Sequence, residues 1–317
     1  MDSKTKIEEL KTTIESTLSP IIGEKAILID LPYHGNVGDI LIWEGELSFF
    51  KTIKINLISQ TSCYTFQFSD LSTDITICIH GGGNFGDLYP ESHDFKKKVI
   101  EKYPNNKIVI FPQSVWYENK DLIKADSDIF SKHKDLHICA RDKFSYDFLV
   151  NNFSSNNIYL VPDMAFYIHN IVKGAVQEPK DNRVLYIKRL DKELKEPANI
   201  INSPYDERDW PYFEGKGNIH RLIFGLARRI NKIKIKRIRS LLALLIDVLM
   251  NNIIRDQLIK QGVILLKPYK KILTTRLHAM ILGILLDKDV VAFNNTTKKI
   301  SAYYNTWLTD LDNVVIK

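Results

Sequence analysis

Between residues 5 and 18 apolar side chains recur at Ile7, Leu10, Ile14 and Leu18, three or four positions apart, which predicts one face of an amphipathic helix closed by Pro20 and Gly23. The pattern then changes. Short continuous apolar runs follow at 26–30 (AILID), 74–79 (DITICI), 107–111 (KIVIF), 136–140 (LHICA) and 158–161 (IYLV). Runs of that length, apolar on both faces, predict strands of a buried parallel sheet. Helical patterns at 40–50 and 143–150 alternate with them. After a polar, linker-like stretch at 170–182, the alternation resumes with a strand in 183–190 (RVLYIKRL). Residues 192–218 hold Pro197, Pro204 and Pro211 and read as irregular loop. A long helical pattern covers 219–261. A strand at 262–269 (GVILLKPY), a helix at 274–286 (TTRLHAMILGILL), a strand at 289–295 (DVVAFNN), a helix within 297–308 and a last strand at 313–316 complete the chain.

The expectation is α/β throughout: two Rossmann-like domains, 1–168 and 169–317, facing across a cleft in the GT-B-like manner. A length of 317 residues is ample for two cores. Hydrophobic residues at 44% and charged residues at 26% place the chain among soluble globular proteins. The net charge of +6 suits anionic substrates or an anionic surface. Cys63, Cys78 and Cys139 are unclustered and odd in number, so a reducing compartment and buried thiols are expected. No metal-ligand spacing appears, and no metal or cofactor is expected. The opening MDSKTKIEELKTTIES has no apolar signal core, and the run Leu241–Met250 is short and broken by Asp247. A cytoplasmic protein is expected.

Polar groups follow each of the five early strands, where an open parallel sheet places its ligands. After the first comes HGNVGD (34–39), whose glycine spacing is not a dinucleotide fingerprint; it offers Asn36 and Asp39 or a tight turn. After the second comes HGGGNFGDLYP (80–90). Its consecutive glycines, Gly82 and Gly83 among them, cost backbone entropy and let amides approach a ligand closely. Asn84 and Asp87 stand beside them. Gln113 and Ser114, then Arg141 and Asp142, then Asp163 end the next three strands. In the second half, Arg276 and His278 open an apolar helix behind Thr274 and Thr275, one of which could cap it. A helix N-terminus with a cation and an imidazole suits an anion and proton transfer; a capped core helix is the plainer reading. The stretch 219–239 carries Arg221, Arg228, Arg229, Lys232, Lys234, Lys236, Arg237 and Arg239 with no acid, interleaved with isoleucines and leucines. It reads either as a solvated helix face or as a peripheral contact with an anionic membrane surface. No nucleic-acid-binding module accompanies the charge.

These motifs, in order GNVGD (35–39), GGGNFGDLY (81–89), FPQS (111–114), ARDKFSY (140–146), PDMAF (162–166), TTRLHAMILGILL (274–286) and NNTTKKISAYYNTWL (294–308), resemble the polysaccharide pyruvyl transferase family. The resemblance implies transfer of the enolpyruvyl group of phosphoenolpyruvate to a sugar of a surface polysaccharide precursor as a ketal. It carries the donor role onto Arg141, Arg276 and His278. His278, within reach of Arg276 on one helical turn, suits acid–base work, so His278 and Arg276 are the expected catalytic pair, with Thr275, Asn295 and Lys299 joining the donor side. Asn294 and Lys298 depart from the family's Asp and Gly in the last motif. Asn36, Asp39, Gly82, Gly83, Asn84, Asp87 and Gln113 fall to the acceptor saccharide, lipid-linked or free, or to the cleft's own structure. A nucleotide-sugar glycosyltransferase on the same fold and a non-catalytic scaffold of polysaccharide assembly are the alternatives.

Overall fold

The computed structural model describes residues 1–172, 182–191, 193–194, 204–215 and 218–317. Most of the linker expected at 170–182 lies outside them. Helix α1 (Ser3–Leu18) is capped by the Asp2 carboxylate and buries Ile7, Leu10, Ile14 and Leu18, the four residues of its apolar stripe. Strand β1 (Lys25–Ile29) leads through the 34–39 loop into α2 (Val37–Thr52) and β2 (Asn56–Gln60). Then follow β3 (Ile75–Ile79), β4 (Gly82–Gly86), α3 (Pro90–Lys102), β5 (Ile108–Trp116), α4 (Asp121–Phe130), β6 (Leu136–Ala140), α5 (Lys143–Asn152) and β7 (Asn157–Leu160). The strands form one parallel sheet, ordered β2-β1-β3-β5-β6-β7, with β4 pairing on β5. The glycine stretch expected as a loop is thus itself a short strand, with Gly82 and Gly86 at positive φ.

After a 3₁₀ turn (Met164–Ile168) and α6 (His169–Val172), a second parallel sheet runs in the order β12-β11-β10-β8-β9. Its strands are β8 (Val184–Ile187), β9 (Asp206–Arg208), β10 (Lys271–Thr274), β11 (Asp289–Ala292) and β12 (Val314–Ile316). Between β9 and β10 lie α7 (Asn218–Arg229), α8 (Lys236–Leu249) and α9 (Arg255–Leu266), with a 3₁₀ turn and a π turn at the two junctions, rather than one long helix. The strand expected at 262–269 is the end of α9. Its buried positions, Leu258, Ile259, Gly262 and Leu266, keep a helical spacing. The strand is Lys271–Thr274, so the two threonines do not open α10 (Leu277–Leu285), whose N-cap is Arg276 without a side-chain cap bond. Helix α11 (Lys299–Trp307) precedes β12.

One continuous hydrophobic core reaches from α1 and α2 through the 164–168 turn to α10, β11 and β12. Every residue of α10 is buried, as expected of a helix that is apolar on all sides. At Gly45 of α2 a β-carbon would lie 1.8 Å from the Met164 carbonyl oxygen, so only glycine lets the 164–168 turn lie on the helix.

Candidate functional site between the two sheets

Asp163, just beyond β7 of the first sheet, is the meeting point. Its Oδ2 accepts from Nη1 of Arg141 at 2.8 Å and lies 3.3 Å from Nε2 of His278 on α10 of the second sheet. The backbone fixes the carboxylate from behind: its Oδ1 accepts from the Ala165 N–H, and the Asp163 N–H donates to the Tyr303 hydroxyl. Burial by itself would push the carboxyl up, but the His278 imidazole and the Arg141 guanidinium hold it well below the usual carboxylate range. Arg141 is oriented a second time, its Nε donating to Ser114 Oγ at 2.8 Å, which in turn donates to Asp142. Asp142 caps α5 through the Ser145 N–H. Both the imidazole and the guanidinium are thus placed by residues at strand ends.

The imidazole needs space from the opposite half. A β-carbon at Gly38, in the first turn of α2, would lie 2.5 Å from His278 Nδ1. A β-carbon at Gly83 would lie 3.0 Å from Lys299 Nζ and 3.3 Å from Arg141 Nη2. One point over the glycine strand is therefore flanked by two cations, one from each half. Lys299 Nζ also reaches the Gly83 carbonyl and the Glu193 carboxylate, each at 3.5 Å. Burial lowers the Lys299 pKa, with Arg141 and Arg189 adding to the effect and Glu193 opposing it. Asn295 orders this corner: it donates to Glu193 at 3.0 Å and accepts from the Lys299 N–H.

Arg276 lies one step further off. Its Nε and Nη2 form a two-pronged pair with Asp209, and Nη2 also meets Asp191 at 3.3 Å. Asp191 and Glu193 share Arg189, so ion pairs run continuously from Arg276 to Lys299. The structure brings Arg141, His278, Lys299 and Gly83 together, and joins Arg276 to them through this chain rather than by contact.

Asn36 caps α2 and donates to Asp39 at 2.7 Å. Asp39 faces the cluster: burial raises its pKa, but His34, His278, His80 and Arg141 together leave it lowered. Gly82 passes beside it. Four other expected binding residues are bonded internally. Thr275 is fully buried and its hydroxyl accepts from the Arg189 N–H. Gln113 is fully buried, donating to the His80 carbonyl and accepting from the Asn84 N–H. The Asn84 side chain accepts from Lys96, which is paired with Asp30. Asp87 accepts from the backbone N–H groups of Glu118 and Asn119.

In the sequence Asp163 stands out only as a strand-end residue, and Glu193, Asp209 and the pairing of His80 with Glu46 are not apparent from it. In that buried pair Glu46 meets His80 Nδ1 at 2.7 Å and accepts from the Gly81 N–H. Burial opposes charge on His80, but Glu46 outweighs it and the pKa is raised; Nε2 has no hydrogen-bond partner among the described residues. A signal for Glu46 existed: it falls on the buried face of α2 with Ile42 and Phe49. None existed for Asp209, whose partner is 67 positions away.

Fold and site define an α/β protein of two parallel sheets with an anion-suited cluster of arginine, lysine and histidine where they meet. The chain belongs to the polysaccharide pyruvyl transferase family, whose pattern it matches over residues 36–297. It is similar to EpsO of Bacillus subtilis, whose name assigns it to the pyruvyl transferases, with 33% identity over 97% of this chain and 93% of that one. It is also similar to Pyruvyl transferase 1 of Schizosaccharomyces pombe, 28% identical over 90% of this chain and 70% of that one. The crystal structure of an uncharacterized Klebsiella pneumoniae protein shares the fold, with a TM-score of 0.61, 21% identity and coverage of 97% and 98% of the two chains.

Proposed function

We propose that the protein transfers the enolpyruvyl group of phosphoenolpyruvate to a sugar of a surface polysaccharide precursor as a ketal, releasing phosphate, across a crevice between GT-B-like halves. The observation that carries this reading is the convergence of Arg141 and His278, from different sheets, on Asp163, with Lys299 beside them. A donor with both a carboxylate and a phosphate needs cations on two sides, and an arginine fork is suited to one of them. Burial, which lowers the Lys299 pKa, is offset by an anion bound beside it.

In the reaction a proton adds to C3 of the donor while a sugar hydroxyl bonds to C2. The C2–O bond to phosphate then breaks, and a second hydroxyl closes the ketal. One hydroxyl proton replaces the proton given to C3, and the other leaves with phosphate. His278, held by Asp163, is the acid and base. Arg141, Lys299 and the start of α10 bear the donor's negative charge, with Arg276 supporting them through Asp191. Asn36, Asp39 and the Gly82–Gly83 backbone line the acceptor side. Incubation with phosphoenolpyruvate and a panel of saccharides, read as product mass and phosphate release, tests the reading. Transfer from phosphoenolpyruvate, lost in His278→Ala, is expected; transfer from a nucleotide sugar instead overturns it.

A further inference from the structure

Helix α8 is apolar on two faces, and among the described residues only one is covered. Ala243, Ile246 and Met250 point inward, and Asp247 accepts from the Tyr33 hydroxyl at 2.6 Å and from Thr65 at 2.7 Å in the first half. Those bonds set the helix's rotation. The other face therefore turns Leu241, Leu244, Leu245 and Val248 to the outside, exposed by 68, 60, 52 and 46%. In α7, Leu222 and Leu226 are 64 and 52% exposed. A solvated helix face would carry polar residues there, and a contiguous apolar patch of this kind marks an interaction site.

The surrounding charge selects the occupant. Arg228, Lys232, Lys234, Lys236 and Arg237 are exposed around the patch, and no acid occurs between residues 219 and 246. A second copy docked by symmetry would set like charges against one another. Anionic headgroups neutralise them while acyl chains receive the leucines. We infer that α7 and α8 form a docking surface for an anionic lipid bilayer. None of the described helices is long and apolar enough to cross a membrane, so the contact is peripheral.

The patch adjoins the acceptor side of the site. Arg221 donates to the Tyr212 carbonyl and lies 5.0 Å from that ring's centroid. The Tyr212 ring fills the space a side chain at Gly35 would occupy, at the mouth of the 34–39 loop. A docked protein would present this loop to a saccharide carried on membrane lipid. That last step rests on the proposed transferase activity; the docking does not.

Flotation of the full chain with phosphatidylcholine vesicles, with and without phosphatidylglycerol, tests the docking. The chain is expected to float with the anionic vesicles, much less with the neutral ones, and to be released by salt. Lys234→Gln/Lys236→Gln/Arg237→Gln lowers the partition on the order of 100-fold, and Leu241→Glu/Leu244→Glu abolishes it. Both variants keep turnover on a soluble saccharide. Failure to float with anionic vesicles, or equal flotation of both variants and the parent, overturns the proposal. So does a lipid-free dimer that Leu241→Glu/Leu244→Glu dissociates. A parent that floats but transfers nothing from phosphoenolpyruvate refutes the catalytic reading alone.

Discussion

The strand ends of the two sheets use polar residues differently. In the first half most are bonded within that half: Gln113 ties β4 to β3, Asn84 receives Lys96, Asp87 holds the turn after β5, and Glu46 of α2 holds His80 and Gly81. In the second, His278 and Lys299 reach across to Asp163 and to Gly83. The first half supplies the frame, and the second sends charged side chains across to it. Arg141 and Asp163 are the exceptions, and they are where the other half makes contact. Groups that bridge should control activity, and groups that hold should control stability.

Breaking the bridge at the imidazole has the largest expected effect: His278→Ala lowers turnover roughly 10²–10⁴-fold in a phosphate-release assay. Asp163→Asn leaves Arg141 buried without its counter-charge and costs about 3–5 kcal/mol in urea unfolding. Because the folded-state pKa of Asp163 is depressed, its stabilisation is complete above the unfolded carboxyl value of about 4 and is lost as pH falls toward the folded value. The difference between wild type and variant therefore shrinks in acid. Lys299→Met raises KM for phosphoenolpyruvate about tenfold or more while kcat changes less. Gln113→Ala sharpens the contrast from the holding side: about 1–3 kcal/mol of stability is lost, with KM for the acceptor unchanged. A large rise in that KM with normal stability makes Gln113 a binding residue.

The smallest effect concerns α8. Burial raises the Asp247 pKa to about 6, against the Thr65 and Tyr33 hydrogen bonds. A group raised in this way contributes its full stability below about pH 4 and loses it as pH rises through about 6. Asp247→Asn keeps an acceptor without the charge, so at pH 7 it should melt higher, by on the order of 1–2 kcal/mol, and show little gain below pH 4.

Four strands of the early sheet were legible because they are buried on both faces and end in glycine or a polar group, as at Ile75–Ile79 and Leu136–Ala140, whereas the half-exposed Asn56–Gln60 gave no such signal. The second sheet was harder to read. Lys271–Thr274 is four residues running straight into the next helix, while the apolar stretch before it keeps the period of α9. Arg141 and His278 stood out because each follows a predicted element boundary. Their common partner did not, since Asp163 and His278 are 115 positions apart and only packing joins them. The threonines do not open α10 for the same reason: Thr274 ends β10, and Thr275 follows it with its N–H bonded to the Ile187 carbonyl and its hydroxyl accepting from the Arg189 N–H.

Gly38 has a helical backbone that any amino acid could adopt, and it is the His278 ring, not its own conformation, that forbids a side chain. A methyl group at that position acts as a wedge between two regions 240 positions apart in sequence. Rational redesign of either half, whether for a new donor or a new sugar, consequently has to treat this steric keyhole as a shared specification and change both sides of it at once.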